Sequence, residues 1–441
     1  MQLWHLRGGL CLMRRLPVGS PPRAVVDFVG GSRDRPVLWS ELRVDRNSKS
    51  EIQLPEKRTA SGPALNGDVP DWMSARQAIL ALRLGQVTER VAKLVTVGTE
   101  EIETFFREIV ERAESKQPAF MVVEGPWGTG KTHALALLRG IAVENKMAVA
   151  QVVLDGVAST LSRPNELLRE IVRGVAFPSD NGQDDLLDLV ISFARDQRTD
   201  ILYQNGLTIL AEALKAVPPE ATNNPDAVEL IESYLAGEVS ANQIRKQLSQ
   251  TYDRTSGFVS LKAVRRADQP ERFATLLGEW ALAARSLHSH GLVVILDEAD
   301  VELAFAKSAQ DQEQRNRLLE EIAALRAVAV PLAVVIAVAP GAEIAGFSSP
   351  TEYLSSQLGK DCRVAKVPEL RPRNLVEVAE KIVRIYDEAY PQSSTILRSA
   401  WEPVAKALIE SGKNSPGGIV PRRFIRSFIE HLDAEHFRKS A

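Results

Sequence analysis

The stretch Glu124-Gly125-Pro126-Trp127-Gly128-Thr129-Gly130-Lys131-Thr132 follows the apolar run Phe120-Met121-Val122-Val123 and opens into Ala134-Leu135-Ala136-Leu137-Leu138. The spacing G-x-x-x-x-G-K-T puts small residues where backbone N–H groups must curl around phosphate oxygens. It adds a lysine that reaches the terminal phosphates and a hydroxyl that ligates magnesium. A helix opening at Gly130 contributes the positive end of its dipole. Strand before and helix after are the context the pattern needs, so the stretch reads as a phosphate loop in an α/β nucleotide-binding domain. Gly125 through Thr132, with His133 beside them, are the expected ATP or ADP contacts; Lys131 is also expected to act in catalysis and Thr132 to hold Mg2+.

Downstream, residues 148–154 read as a buried strand, which completes a β-α-β unit and predicts a parallel sheet with helices on its faces. Residues 163–285 are overwhelmingly helical in pattern and predict a helical insertion, broken by Pro218-Pro219 and Asn223-Asn224-Pro225. The second anchor is Leu292-Val293-Val294-Ile295-Leu296-Asp297-Glu298-Ala299-Asp300, an apolar strand ending in acids at the sheet edge where α/β proteins build their sites. Asp297 is expected to orient the hydration shell of magnesium and Glu298 to polarise the water that attacks a γ-phosphate, since phosphoryl transfer depends mainly on positioning and electrostatics. A helix over 312–327, a strand over 332–338 and a short strand over 364–367 follow. A small helical lid begins near Asn374, pauses at Ser415-Pro416-Gly417-Gly418, and resumes at Pro421-Arg422-Arg423-Phe424. Arg422 or Arg423, close to a helix start, is the candidate to reach bound phosphates and couple them to lid angle.

Composition narrows the alternatives. Of 441 residues, 44% are hydrophobic and 25% charged, and the net charge of −3 gives no global basic field for nucleic acid. Any DNA contact must come from a local patch or a partner, and Arg245-Lys246 and Arg265-Arg266 read as solvated faces. The two cysteines, Cys11 and Cys362, are far apart, which suits a reducing compartment and excludes a disulfide framework. The six histidines form no zinc spacing with them. The longest apolar run, residues 328–339, contains Pro331 and is too short to span a bilayer. Residues 1–72 lack sustained periodicity and are rich in Pro, Gly, Ser and Arg, which predicts an irregular extension. Their first fifteen residues make a poor secretory signal, and Met73 is an alternative start. The expected domains are therefore 1–72, an ATPase domain over 73–368 with an insertion near 160–285, and a lid over 369–441.

With these residues in place, the chain resembles AAA-type P-loop ATPases related to origin-recognition and STAND proteins. More narrowly it is similar to the ATP-binding proteins of bacterial BREX phage-defence systems, BrxD and its relatives. The resemblance covers roughly residues 74–435. It is carried by Arg83-Leu84-Gly85 with Thr96-Val97-Gly98 ahead of the loop, by Tyr234-Leu235-Ala236-Gly237-Glu238 in the insertion, by residues 291–298 and by 421–426. It implies an AAA+ or ASCE-type fold, a lip at Val97 and Gly98 against the adenine, and a start near Met73. It also implies a cytoplasmic ATPase that uses ATP and Mg2+ beside other phage-defence proteins, on DNA directly or through partners, with room for an ATP-dependent oligomer. Such ATPases carry a polar residue at the tip of the strand that here ends Ala337-Val338-Ala339-Pro340-Gly341. Ala339 departs from that pattern, and Ser348 or Ser349 is the nearest substitute. No arginine acting in trans is singled out among Arg315, Arg317 and Arg326. Two other readings stay open: a nucleotide-gated switch with little turnover, and an origin-recognition-like DNA-binding loader.

Overall fold

In the computed structural model the described residues are the strands within 3–44 and residues 71–440, apart from 157–159, 180–181, 253–256, 264, 305–307, 342–343, 345, 392–393 and 414–419. The pause expected at Ser415-Pro416-Gly417-Gly418 and the segment 45–70 lie outside them. Residues 1–64 are a unit by themselves. They carry β1 (Leu3–Leu6), β2 (Gly9–Val18), β3 (Arg23–Phe28), β4 (Arg35–Leu38) and β5 (Arg43–Val44), paired antiparallel in the order β4-β3-β2-β1-β5. This differs from the irregular extension read from composition. A composition rich in Pro, Gly and Ser is compatible with short strands as well as with irregular chain.

The second unit is built on a seven-stranded sheet. Its strands are β6 (Ala119–Glu124), β7 (Ala148–Val153), β8 (Val175–Ser179), β9 (Gly182–Asp185), β10 (Leu292–Asp297), β11 (Leu332–Val338) and β12 (Arg363–Lys366), in the order β12-β6-β11-β10-β7-β8-β9. The first five in that order pair in parallel. The strand β11 separates the phosphate-loop strand from the acid-bearing strand, which is the arrangement of the ASCE-type P-loop NTPases, so the α/β fold class expected from the sequence is the fold observed. All residues of β10 and β11 are buried, as parallel strands covered on both faces must be, and this is why they read as unbroken apolar runs rather than alternating ones. The period-2 pleat still sorts them. Phe120, Val122, Val294, Leu296, Val334 and Ile336 enter one core, whereas Met121, Val123, Val293, Ile295, Val335 and Ala337 enter the other.

Helices α1 (Asp71–Leu84) and α2 (Glu89–Val95) precede the sheet, and α3 (Glu100–Glu114) and α4 (Lys131–Glu144) cover the second core. The first core is covered by α5 (Pro164–Arg173), α6 (Leu186–Arg195), α7 (Thr199–Gln204), α8 (Ile209–Lys215), α9 (Pro225–Leu235), α10 (Ala241–Leu248) and α11 (Gln269–Ser286), joined by α12 (Ala299–Ala304), α13 (Ala309–Ala324) and α14 (Pro350–Leu358). Residues 163–285, read from sequence as helical, carry α5 to α11 together with β8 and β9. These two strands form an antiparallel edge hairpin on β7, and each strand is too short for its alternation to stand out from the helical pattern around it. Two buried acids stitch the insertion down. Glu279 accepts from the Thr208, Ile209 and Leu210 amides at 3.0, 2.9 and 2.7 Å, capping α8 from α11. Glu302, on α12, accepts from the Thr160 hydroxyl at 2.6 Å and the Leu161 amide at 2.7 Å, so the helix after the acidic strand holds the start of the insertion.

A third core lies in the carboxyl-terminal helices that the sequence reading takes as a lid. It joins α1 and α2 to α15 (Pro372–Ala389), α16 (Ser394–Lys413) and α17 (Pro421–Ser440) through Ile79, Leu82, Val95, Tyr386, Phe428 and Leu432. Fully burying a side chain such as Phe428 contributes roughly 1.5–3 kcal/mol. The segment ahead of the phosphate loop therefore packs with the carboxyl-terminal helices, separated from it by almost the whole chain.

In the insertion, Glu232 sits against Asp188 and Asp185, with Arg173 as an opposing charge. Desolvation first, and then the two aspartates, push its carboxyl up to about 7. Because the folded value is above the ordinary 4.5, the stability this group contributes is present below 4.5 and is lost as pH rises through about 7. Urea unfolding of Glu232→Gln between pH 4.5 and 8 should therefore lack a decline that the wild type shows. Parallel pH profiles for the two proteins would contradict this.

Candidate nucleotide site

The phosphate loop leaves β6 with the Gly125 amide still bonded to the Val338 carbonyl at 3.1 Å, so the loop starts from a fixed sheet edge. It closes on itself through the Thr129 hydroxyl, which donates to the Pro126 carbonyl at 2.8 Å. No side chain caps α4 at Gly130, and the first-turn amides of a helix have no intrahelical acceptor, so this end of a 14-residue helix is available to an anion. The Lys131 ammonium is buried; it donates to the Gly125 carbonyl at 2.8 Å and lies 5.2 Å from the centre of the Trp127 ring. Trp127 itself is 66% exposed. Burial lowers the His133 pKa and so favours the neutral imidazole, and among the described residues its Nε2 has no hydrogen-bond partner.

Opposite Lys131 stand the acids of β10. Asp297 is buried, and desolvation raises its pKa, with the charges of Glu298 and Asp300 adding to the shift; the Glu298 amide and Lys131 work against it. The Glu298 amide donates to Asp297 Oδ1 at 2.9 Å. That bond accompanies a left-handed backbone at Glu298, φ 59°, a conformation that costs a non-glycine residue energy and that clusters at functional sites. The donor set fits a hard divalent cation: a buried carboxylate and, from Thr132, a hydroxyl, both oxygen ligands.

These groups line one cavity of about 370 Å3, within the usual range for a small-molecule site. Among the residues expected from the sequence, Val97, Pro126 through His133, Asp297, Glu298 and Arg422 border it. Gly125 packs behind the Lys131 stem, Gly98 forms the turn between two cavity residues, Val97 and Thr99, and Arg423 lies off the cavity. Ser349 caps α14 by accepting from the Glu352 amide at 3.1 Å, and Ser348 is bonded to the Glu352 carboxylate. Neither borders the cavity, so neither substitutes for a polar residue at position 339. Arg315 is buried against the Tyr353 hydroxyl, and Arg326 is bound to the Leu358 carbonyl.

One wall was not read from sequence: Leu82, Gly85, Gln86 and Val87 from the end of α1, with Leu370 and Val378 from the lid. The helix α1 ends in a Schellman turn, Gln86 amide to Ala81 carbonyl at 2.8 Å and Gly85 amide to Leu82 carbonyl at 3.1 Å, with Gly85 at φ 67°. A Cβ on Gly85 would lie 2.6 Å from two nitrogens of the Arg422 guanidinium, so only glycine lets Arg422 settle there. Beside it, Arg83 donates to Asp433 of α17 at 2.8 Å, and the Tyr386 hydroxyl donates to the same carboxylate at 2.9 Å. Lys381 of α15 reaches the Thr96 carbonyl at 2.8 Å. The signal available was Arg83-Leu84-Gly85 itself, a helix-ending motif whose partners lie more than 300 residues away.

Residues 73–249 match the family model of the BREX system ATP-binding protein BrxC/D. The BrxC/D match bears out the resemblance read from the sequence. It takes in the α1 wall, Val97 and the phosphate loop, and it ends before Asp297, Glu298 and Arg422. A solved structure titled as the Aeropyrum pernix ORC2 protein in ADPNP–ADP complexes is similar at 15% identity and a TM-score of 0.31, covering 76% of this chain and 67% of that one. No curated protein matches the sequence.

Gly85→Ala should displace Arg422 and weaken binding of a fluorescent nucleotide about tenfold, while the left-handed turn alone costs roughly 1–3 kcal/mol of stability. Arg422→Ala made alongside it should give a similar loss of binding. Unchanged affinity in both variants would mean that the guanidinium has no part in the site.

Proposed function

We propose that this chain binds ATP with magnesium and hydrolyses it to ADP and phosphate, as an ATP-dependent component of a BREX-like phage-defence system. The observation that carries the reading is the convergence of Lys131, Asp297, Glu298 and the lid residue Arg422 on one cavity. The BrxC/D match over residues 73–249 supports the defence setting and ATP as the nucleotide.

The adenine would lie between the Leu82–Val87 wall and the lip at Val97, where apolar surface dominates. The triphosphate would extend along the phosphate loop to the free amides of α4. Lys131 must then exchange the Gly125 carbonyl for phosphate oxygens, a swap between two acceptors within reach of one ammonium. Magnesium, held by Thr132 and Asp297, would neutralise charge on the terminal phosphates. Glu298, placed one residue beyond Asp297 and turned by its left-handed backbone, is the base that takes a proton from the attacking water. Arg422 stabilises the phosphates from the lid, and Arg83 and Lys381 tie that lid to the lip and the α1 turn. ATP state is thereby coupled to lid angle, and we infer that this motion remodels or regulates a complex on DNA. A second reading is favoured by Ala339: without a polar side chain at that tip, turnover is slow and binding itself is the signal.

Phosphate release by the purified protein, with and without double-stranded DNA, separates the two readings. Lys131→Ala should abolish nucleotide binding. Glu298→Gln should keep binding and lose turnover by about 100-fold or more. A wild type no faster than Glu298→Gln under every condition would leave only the switch.

A further inference from the structure

Ala339 brings no side chain to the tip of β11, yet its backbone is engaged. Its amide donates to Asp300 Oδ1 at 2.8 Å. Asp300 stands in the first turn of α12, three residues after Asp297, and borders the same cavity as Asp297, Glu298 and Lys131. Its charge is felt at Asp297. Among the described residues no second hydrogen bond to Asp300 is found, so the carboxylate is fixed through one oxygen and keeps acceptor capacity on the other.

Resting on the ATPase reading, we infer that Asp300 supplies the polar contact that residue 339 lacks: it accepts a hydrogen bond from the attacking water. A water that attacks phosphorus must present a lone pair along the line of attack, and two acceptors are needed to fix both of its hydrogens. Glu298 accepts one of them and removes it as a proton. Asp300 accepts the other as a hydrogen bond and takes no proton. The water oxygen forms the new bond to the γ-phosphorus, the bond to the bridging oxygen breaks with its electron pair leaving on ADP, and the proton held by Glu298 passes to the phosphate. The Ala339 amide has two uses here. It holds the Asp300 carboxylate in place, and it offsets part of the charge that a third acid brings toward a phosphate.

The alternative is that Asp300 only ties α12 to β11, and the variants distinguish the two. In Asp300→Asn the carbonyl oxygen can still receive the Ala339 amide, which leaves an NH2 group where an acceptor is required. Water attack is impaired although the tie survives. Asp300→Asn should lower kcat at least tenfold with ADP affinity changed less than threefold and apo thermal stability within a few degrees of wild type. It should also lose the extra affinity for ADP with aluminium fluoride over ADP alone. Adding Ala339→Asn to Asp300→Asn, which returns a polar side chain to the strand tip, should recover part of kcat. Wild-type kcat and wild-type aluminium fluoride affinity in Asp300→Asn would overturn the assignment, as would equal losses of ADP binding and turnover. A wild type without turnover would instead remove the ATPase reading on which it rests, and this one with it.

Discussion

A carboxylate buried at the end of a fully covered strand is the constraint around which this molecule is arranged. Asp297 sits where β10 leaves the sheet, 3% exposed, with two further acids within three residues. Desolvation and like charge both resist its ionisation, and among the described residues the Glu298 amide and the Lys131 charge act against them. Such a group is poorly satisfied by the protein alone and well satisfied by a cation. The twist that gives Asp297 its amide is the same left-handed turn that carries Glu298 into the cavity, so compensation of one acid and placement of the next share one piece of backbone.

The second dependence is on long-range closure. The phosphate loop needs only β6 and α4, which are adjacent in sequence. The opposite wall is made where α1 meets α15 and α17. That junction rests on Arg83 with Asp433, on the Tyr386 hydroxyl sharing the same carboxylate, and on the fit of Arg422 over Gly85. An isolated exposed ion pair is worth little. Here the pair is half-buried, reinforced by a second donor and set above the apolar lid core, so lid and wall are joined by packing as well as by charge. On the sheet side, Glu302 ties the helix after the acids to the first turn of the insertion.

The sequence made legible what is local. Gly125 to Thr132 announced the loop because backbone curvature, charge and hydroxyl must be contiguous there. The runs before Asp297 and Val338 announced parallel strands because burial on both faces leaves no alternation to confuse. What escaped is what depends on distant partners or on ambiguous punctuation. Gly85 is an ordinary helix end until Arg422 packs on it. Asp300 is an acidic residue in a first helical turn until the Ala339 amide is seen on it. Of the two lid arginines, only the fold says which faces the cavity. The edge strands at 175–185 were absorbed into a helical pattern because each is only a few residues long, and the strands of residues 3–44 were hidden by the Pro, Gly and Ser content of the sequence around them.

We propose that phosphate loop and lid form one nucleotide site. Hydrogen–deuterium exchange of the full chain, with and without magnesium and ATP, tests it most directly. Slowed exchange should appear together in the phosphate loop and the first turn of α4, in the Gly85–Val87 turn, and at the start of α17 near Arg422. Protection confined to the phosphate loop, with the turn and the lid unchanged, would contradict it.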